Sequence, residues 1–117
     1  KDRLDNGPAS ASVAFVVTSD LRIASPLVFP NPVDRDGHFT YLLSQPARVS
    51  IQVYSVAGHL VRRIDDAPGA PGYNQVRWDG LDQDGNPLGN GAYLYVISAR
   101  SADRAAVARE RLIVLRR

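Results

Sequence analysis

Arg48-Val49-Ser50-Ile51-Gln52-Val53-Tyr54 decides the fold. Val49, Ile51 and Val53 alternate with Arg48, Ser50 and Gln52, and in an extended chain a period of two sends alternate side chains to opposite faces. One face is core and the other is solvent. Upstream, Gln45-Pro46 closes an earlier strand over residues 38–43 that carries Phe39, Tyr41 and Leu43 on one side, and residues 34–37 supply turn chemistry before it. Before that turn, Leu27, Val28 and Phe29 run into Pro30-Asn31-Pro32. Two prolines there remove two backbone donors and fix two φ angles, so no central strand passes through.

Downstream, Val56-Ala57-Gly58 turns the chain into a strand over residues 60–64. Either Leu60 or Val61 faces inward, and Arg62 and Arg63 read as exposed side chains on opposite faces. Pro68, Gly69, Pro71 and Gly72 make residues 65–72 a loop. Val76 and Trp78 then share a face of a strand over residues 74–78. Asp79-Gly80, Asp84-Gly85 and Asn90-Gly91 are turn dipeptides, so residues 81–89 read as a folded loop between strands. Residues 91–99 carry Tyr93, Tyr95 and Ile97 on one side and Leu94 and Val96 on the other, which predicts a central strand. A hairpin tip over residues 101–106 and a closing strand over residues 107–115 complete the chain. A helix over residues 104–111 competes there, but the β-branched pair Ile113-Val114 favours a strand. Seven or eight short, mostly antiparallel strands without a helix predict an all-β, two-sheet sandwich. Its expected core is Val49, Ile51, Val53, Val76, Trp78, Tyr95, Ile97 and Leu112.

The whole chain has 117 residues, 44% hydrophobic, a length suited to one compact core. Among its charges are 13 Arg to 1 Lys and 11 Asp to 1 Glu, a bias toward turn-forming acids over helix formers. The net charge is only +2, which argues against a nucleic-acid partner. Without cysteine there is no disulfide framework, thiolate site or cysteine nucleophile. No apolar run approaches the ~20 residues of a membrane span, and no charged-then-apolar leader opens the chain. The absence of methionine points to a piece of a larger parent. Residues 1–10 are polar, and Ala11, Val13, Phe15 and Val17 alternate as a strand that belongs either to this sandwich or to a preceding domain. Residues 19–25 then read as a connector, giving a lead-in over residues 1–20 and the sandwich over residues 21–117.

Candidate chemistry is sparse. Asp79, Asp82, Asp84 and Asn86 are a weak Ca²⁺ candidate, because a loop starting at Asp82 has Pro87 where the Gly and Tyr93 where the Glu of a calcium loop belong. Aspartates that cap turns through backbone amides explain the cluster with less. His38 and His59 accompany no Gly-x-Ser-x-Gly elbow, so no catalysis and no cofactor are expected. Tyr41, Tyr54, Tyr73, Tyr93, Tyr95 and Trp78 are an alternative, a platform for sugar rings, although Tyr93 and Tyr95 beside Ile97 read more simply as sheet packing.

An ordered series of motifs adds to this reading. Phe29-Pro30-Asn31-Pro32, Val49 to Tyr54 followed by Val56-Ala57-Gly58-His59-Leu60, Trp78-Asp79-Gly80-Leu81-Asp82, and Asn90-Gly91-Ala92-Tyr93-Leu94-Tyr95 resemble two related immunoglobulin-like families. One is the type A C-terminal sorting domain of the bacterial type IX secretion system, and the other is the immunoglobulin-like domain of the flagellar hook-assembly scaffold. Within the first, the stretch is most similar to the C-terminal domain of type IX sortases, which are gingipain-like cysteine peptidases; His59 stands where that family usually has Arg. The motif residues are Pro30, Asn31, Pro32, Gly58, Trp78, Asp79, Gly80, Gly91, Tyr93 and Tyr95. The resemblance implies an immunoglobulin-like β-sandwich exported through the periplasm to the outer-membrane surface, with the translocon and the outer-membrane attachment machinery as partners. It also implies, for ordinary cargo, a cut in the connector at residues 19–25, whereas a sortase keeps its own domain.

Leu112-Ile113-Val114-Leu115-Arg116-Arg117 is then read in two ways. As a strand end, the arginines discourage edge pairing. As an address, they are what a translocon reads, and the family's usual basic terminus favours this second sense. A structural module packed on its parent or in a hook scaffold is the competing function. The detachable strand over residues 11–17 and the open sandwich edges further suggest a domain-swapped or edge-paired homo-oligomer.

Overall fold

The computed structural model describes residues 20–116. The expected strand over residues 11–17, any swap through it and Arg117 lie outside the described residues. Seven strands are present: β1 (Ile23–Phe29), β2 (Gly37–Leu43), β3 (Arg48–Ser55), β4 (Leu60–Ala67), β5 (Gly72–Trp78), β6 (Gly91–Ser101) and β7 (Arg104–Val114). They form a three-stranded sheet in the order β1-β2-β5 and a four-stranded sheet in the order β4-β3-β6-β7, every pair antiparallel. The predicted all-β, immunoglobulin-like sandwich is the observed fold, and β6 is central as its two apolar faces require.

Period-two burial builds the core. Phe39, Tyr41 and Leu43 of β2 and Trp78 of β5 face Val49, Ile51 and Val53 of β3, Tyr95 and Ile97 of β6, and Leu112 and Val114 of β7, all buried. Each large apolar side chain so placed stabilises the fold by roughly 1.5–3 kcal/mol. Phe39 joins the layers: its ring centroid lies 5.6 Å from that of Trp78 in its own sheet and 5.1 Å from that of Tyr95 in the other. Such tilted aromatic pairs add to the area they bury. Val76, expected in the core, is only partly buried and packs against its margin. Of the two candidates in β4, Val61 packs on the core and Leu60 is exposed.

Strand ends differ most from the sequence reading at three places. The expected connector over residues 19–25 already contains the first residues of β1, because Ile23 pairs with Leu43; a register shift between Ala24 and Leu27 absorbs Ser25, at φ 52°, and Pro26. The expected loop from residue 65 begins three residues too early, since β4 continues through Asp66, at φ 55°, to the buried Ala67 opposite Val49. The hairpin tip is Ala102-Asp103 alone, and β7 starts at Arg104, which pairs with Ser101. In each case pairing with a neighbouring strand extends the element past residues that locally favour a turn. The region considered for a helix, residues 104–111, is strand throughout. No helix among the described residues is long and apolar enough to cross a membrane.

Candidate functional site

The last strand and the loops around its end gather most of the motif residues. β7 is the edge of its sheet, and an edge strand leaves alternate N–H and C=O groups without partners. The Pro30-Asn31-Pro32 segment covers part of that row. Asn31 Oδ1 accepts the Ile113 N–H at 3.0 Å, the Val33 N–H donates to the Ile113 carbonyl at 2.7 Å, and the Leu115 N–H donates to the Val33 carbonyl at 2.9 Å. Val33, parallel to Val114 here, is wholly buried. Proline suits this segment because it runs beside an edge and not within a ladder.

The alternation of β7 divides the proposed recognition residues. Leu112 and Val114 are buried in the core, whereas Ile113 is 47% and Leu115 44% exposed. Arg116 is not a free tail. Its Nε donates to the Leu88 carbonyl at 3.0 Å, Nη1 to the Asp34 carbonyl at 3.1 Å and Nη2 to the Gly80 carbonyl at 2.7 Å. Its backbone N–H donates to Asn90 Oδ1 at 2.7 Å. A planar guanidinium with five donors suits three carbonyls converging from different loops.

Arg62 holds the other side of the same loop. It is a correction to the sequence reading, because its side chain is only 25% exposed and Nη1 donates to Asp79 Oδ1 at 3.0 Å and to the Leu81 carbonyl at 3.1 Å. Trp78 Nε1 donates to the same Leu81 carbonyl at 3.2 Å. The aspartates work as turn caps: Asp79 Oδ1 accepts the Leu81 N–H at 3.0 Å, and Asp82 Oδ1 accepts the N–H groups of Asp84 and Asn86 at 2.9 Å each. Asp82 and Asp84 therefore belong to the folded loop the turn dipeptides predict, and the Gln83 N–H anchors it to the Val61 carbonyl at 2.8 Å.

The remaining candidates separate. Gly58, at φ 89°, closes the turn after β3, where its N–H donates to the Ser55 carbonyl at 2.9 Å. Gly91 opens β6, and Tyr93, partly buried, donates its hydroxyl to the Gly89 carbonyl at 2.8 Å. Trp78, Tyr41 and Tyr95 lie in the core, which removes three of the six aromatics from any sugar platform. Burial raises the phenols of Tyr41 and Tyr95 to about 12, with the Glu110 carboxylate adding to the rise at Tyr95. Tyr41 donates to the Pro68 carbonyl at 2.6 Å. His38 is paired within the β1-β2-β5 sheet and His59 is exposed in the β3–β4 turn, so the histidines are not brought together.

Residues 33–103 match the model of the FlgD Ig-like domain family. Among solved structures, dimeric latent PorU from Porphyromonas gingivalis is similar at 25% identity and a TM-score of 0.67, over 79% of this chain and 9% of that one. Truncated FlgD from Helicobacter pylori is similar at 18% identity and a TM-score of 0.56, over 78% of this chain and 67% of that one. PorZ from P. gingivalis, a surface component of its type-IX secretion system, is similar at 21% identity and a TM-score of 0.51, over 79% of this chain and 12% of that one. The present chain thus spans about a tenth of PorU and PorZ. No curated protein sequence matches it.

Proposed function

Because the chain belongs to the FlgD Ig-like domain family, we propose that it is a non-catalytic recognition module, a sorting and attachment domain of type IX secretion. The observation that carries this reading is the likeness to PorU over 79% of the chain, in a chain whose motifs resemble sorting domains of type IX sortases. The fold shared with PorZ, a bacterial surface component of that system, agrees with export to the cell surface. The partners are the translocon and the outer-membrane attachment machinery. On this reading β7 is presented as a rigid edge, with the exposed side chains of Ile113 and Leu115 available for contact and Arg116 holding the strand in place.

The competing function, a structural module in a hook scaffold or on a parent domain, is favoured by the family itself and by the two-thirds share of the truncated H. pylori FlgD chain that the fold spans. One export experiment separates the two. A periplasm-targeted fluorescent protein carrying all 117 residues at its C-terminus is expressed in a bacterium with a working type IX system and in a translocon-deficient control. Surface delivery only in the competent strain is expected. Periplasmic retention of a folded fusion would instead favour the structural module. Deleting residues 112–117 is a poor test of the address, since Leu112 and Val114 are core residues. The informative variant is Ile113→Ser with Leu115→Ser, which alters exposed side chains only.

A further inference from the structure

The outer face of the four-stranded sheet carries more positive than negative charge: Asp65 and Asp66 line one of its grooves with Arg48, Arg63 and Arg100, and Asp65 is already paired with Arg63 at 2.7 Å. Residues of β3, β6 and β7 opposite the core alternate onto this face: Arg48 pairs with Arg100, Ser50 with Ser98, Gln52 with Val96, Val96 with Arg109 and Leu94 with Arg111. Arg48, Arg100, Arg109 and Arg111 are exposed, and none of their guanidiniums has a hydrogen-bond or ion-pair partner among the described residues. Arg48 and Arg100 stand directly opposite each other, an arrangement of like charges that destabilises a sheet. Six arginines have no guanidinium partner among the described residues, and four of them, Arg48, Arg100, Arg109 and Arg111, share this surface, the others being Arg22 and Arg35.

That surface is also shaped and partly apolar. Two adjoining grooves of about 570 and 440 Å³ share Gln52, Ser98 and Val107. Gln52 is 8% exposed although it faces outward; its Nε2 donates to Ser50 Oγ at 2.8 Å and its Oε1 accepts from Ser98 Oγ at 3.4 Å. The second N–H of that amide is uncommitted among the described residues, on a polar groove floor. Leu94 and Val107, 42% and 52% exposed, stand between the arginines.

We propose that this face docks an acidic protein segment whose carboxylates are interleaved with apolar side chains. Arginine and tyrosine, here Tyr54 in the second groove, are enriched at protein interfaces, where lysine is depleted. A polyanion such as a glycan or nucleic acid would leave Leu94, Val96 and Val107 without partners. The inference rests on the recognition reading and names the surface and the partner chemistry for it.

The test titrates the ¹⁵N-labelled 117-residue chain with a short synthetic peptide alternating Asp and Val, with its Lys-Val counterpart, and with heparin as a polyanion. The Asp-Val peptide is expected to move the amide signals of Ser50, Gln52, Ser98 and Val107 and to weaken with added salt. Arg100→Gln with Arg109→Gln should weaken binding about tenfold. Arg22→Gln with Arg35→Gln, an equal change in net charge elsewhere, should change it far less. The proposal is overturned if no peptide binds, if the Lys-Val peptide binds as well, if heparin alone binds, if the signals move on another surface, or if both double variants lose equally. Peptide binding without export in the reporter assay would keep this surface and discard the type IX reading, whereas export without peptide binding would discard this surface alone.

Discussion

Gly80 sits at φ 74°, and a Cβ there would lie 2.0 Å from the carbonyl oxygen of Arg35. Gly58, at φ 89°, has nothing within 4 Å of the same position. Gly80→Ala should therefore cost about 2–4 kcal/mol, combining backbone strain with overpacking, and Gly58→Ala only about 1 kcal/mol. Urea unfolding midpoints of the two variants check the ranking; equal losses would mean the Arg35 contact yields freely. Tyr41 and Tyr95 set an alkaline limit. Their folded pKa values of about 12 lie above the ordinary 10, so the folded state holds protons the unfolded state has lost. Stability is fully present below about pH 10 and falls as pH rises toward 12, and thermal melts across that window should drop more steeply than those of Tyr41→Phe. The Asp-Gly turns were readable because their chemistry is local. The roles of Arg62 and Arg116 were not, since the partners of Arg62 begin 17 residues away in sequence and those of the Arg116 guanidinium lie 28 to 82 residues away.

The last strand shows what an element adds. Leu112 is fully buried and Ile113 is 47% exposed, so Leu112→Ala should lose about 2–5 kcal/mol, and Ile113→Thr less than about 1 kcal/mol. Chemical denaturation measures both, and comparable losses would place Ile113 in contact with something outside the sandwich. The alternation of valine and isoleucine in β3 and of Tyr95 and Ile97 in β6 was plain in the sequence, because a two-residue period needs no knowledge of the partner strand. The ends of β1, β4 and β7 were not. Ile23, Ala67 and Arg104 are strand residues because Leu43, Val49 and Ser101 are opposite them, and those pairings override local turn preference.

At the scale of the whole molecule, the two sheets share one core through Phe39, Trp78 and Tyr95. Unfolding should accordingly be a single transition, with Trp78 fluorescence and far-ultraviolet circular dichroism superimposing along a urea titration; separated curves would mean that the sheets part independently. Periodicity and turn chemistry act over a few residues, so the all-β sandwich, the core alternation of β3 and β6 and the folded loop over residues 81–89 could be read without the structure, whereas Val76 of β5, expected in the core, lies at its margin. Three features were legible only once the strands were assembled: Pro30-Asn31-Pro32 lines the edge of β7, Arg116 clasps three loops, and four unpaired arginines from three strands meet on one face. Each of these depends on strand order and register, and both are set by burying the two apolar faces against each other, a choice made by the chain as a whole.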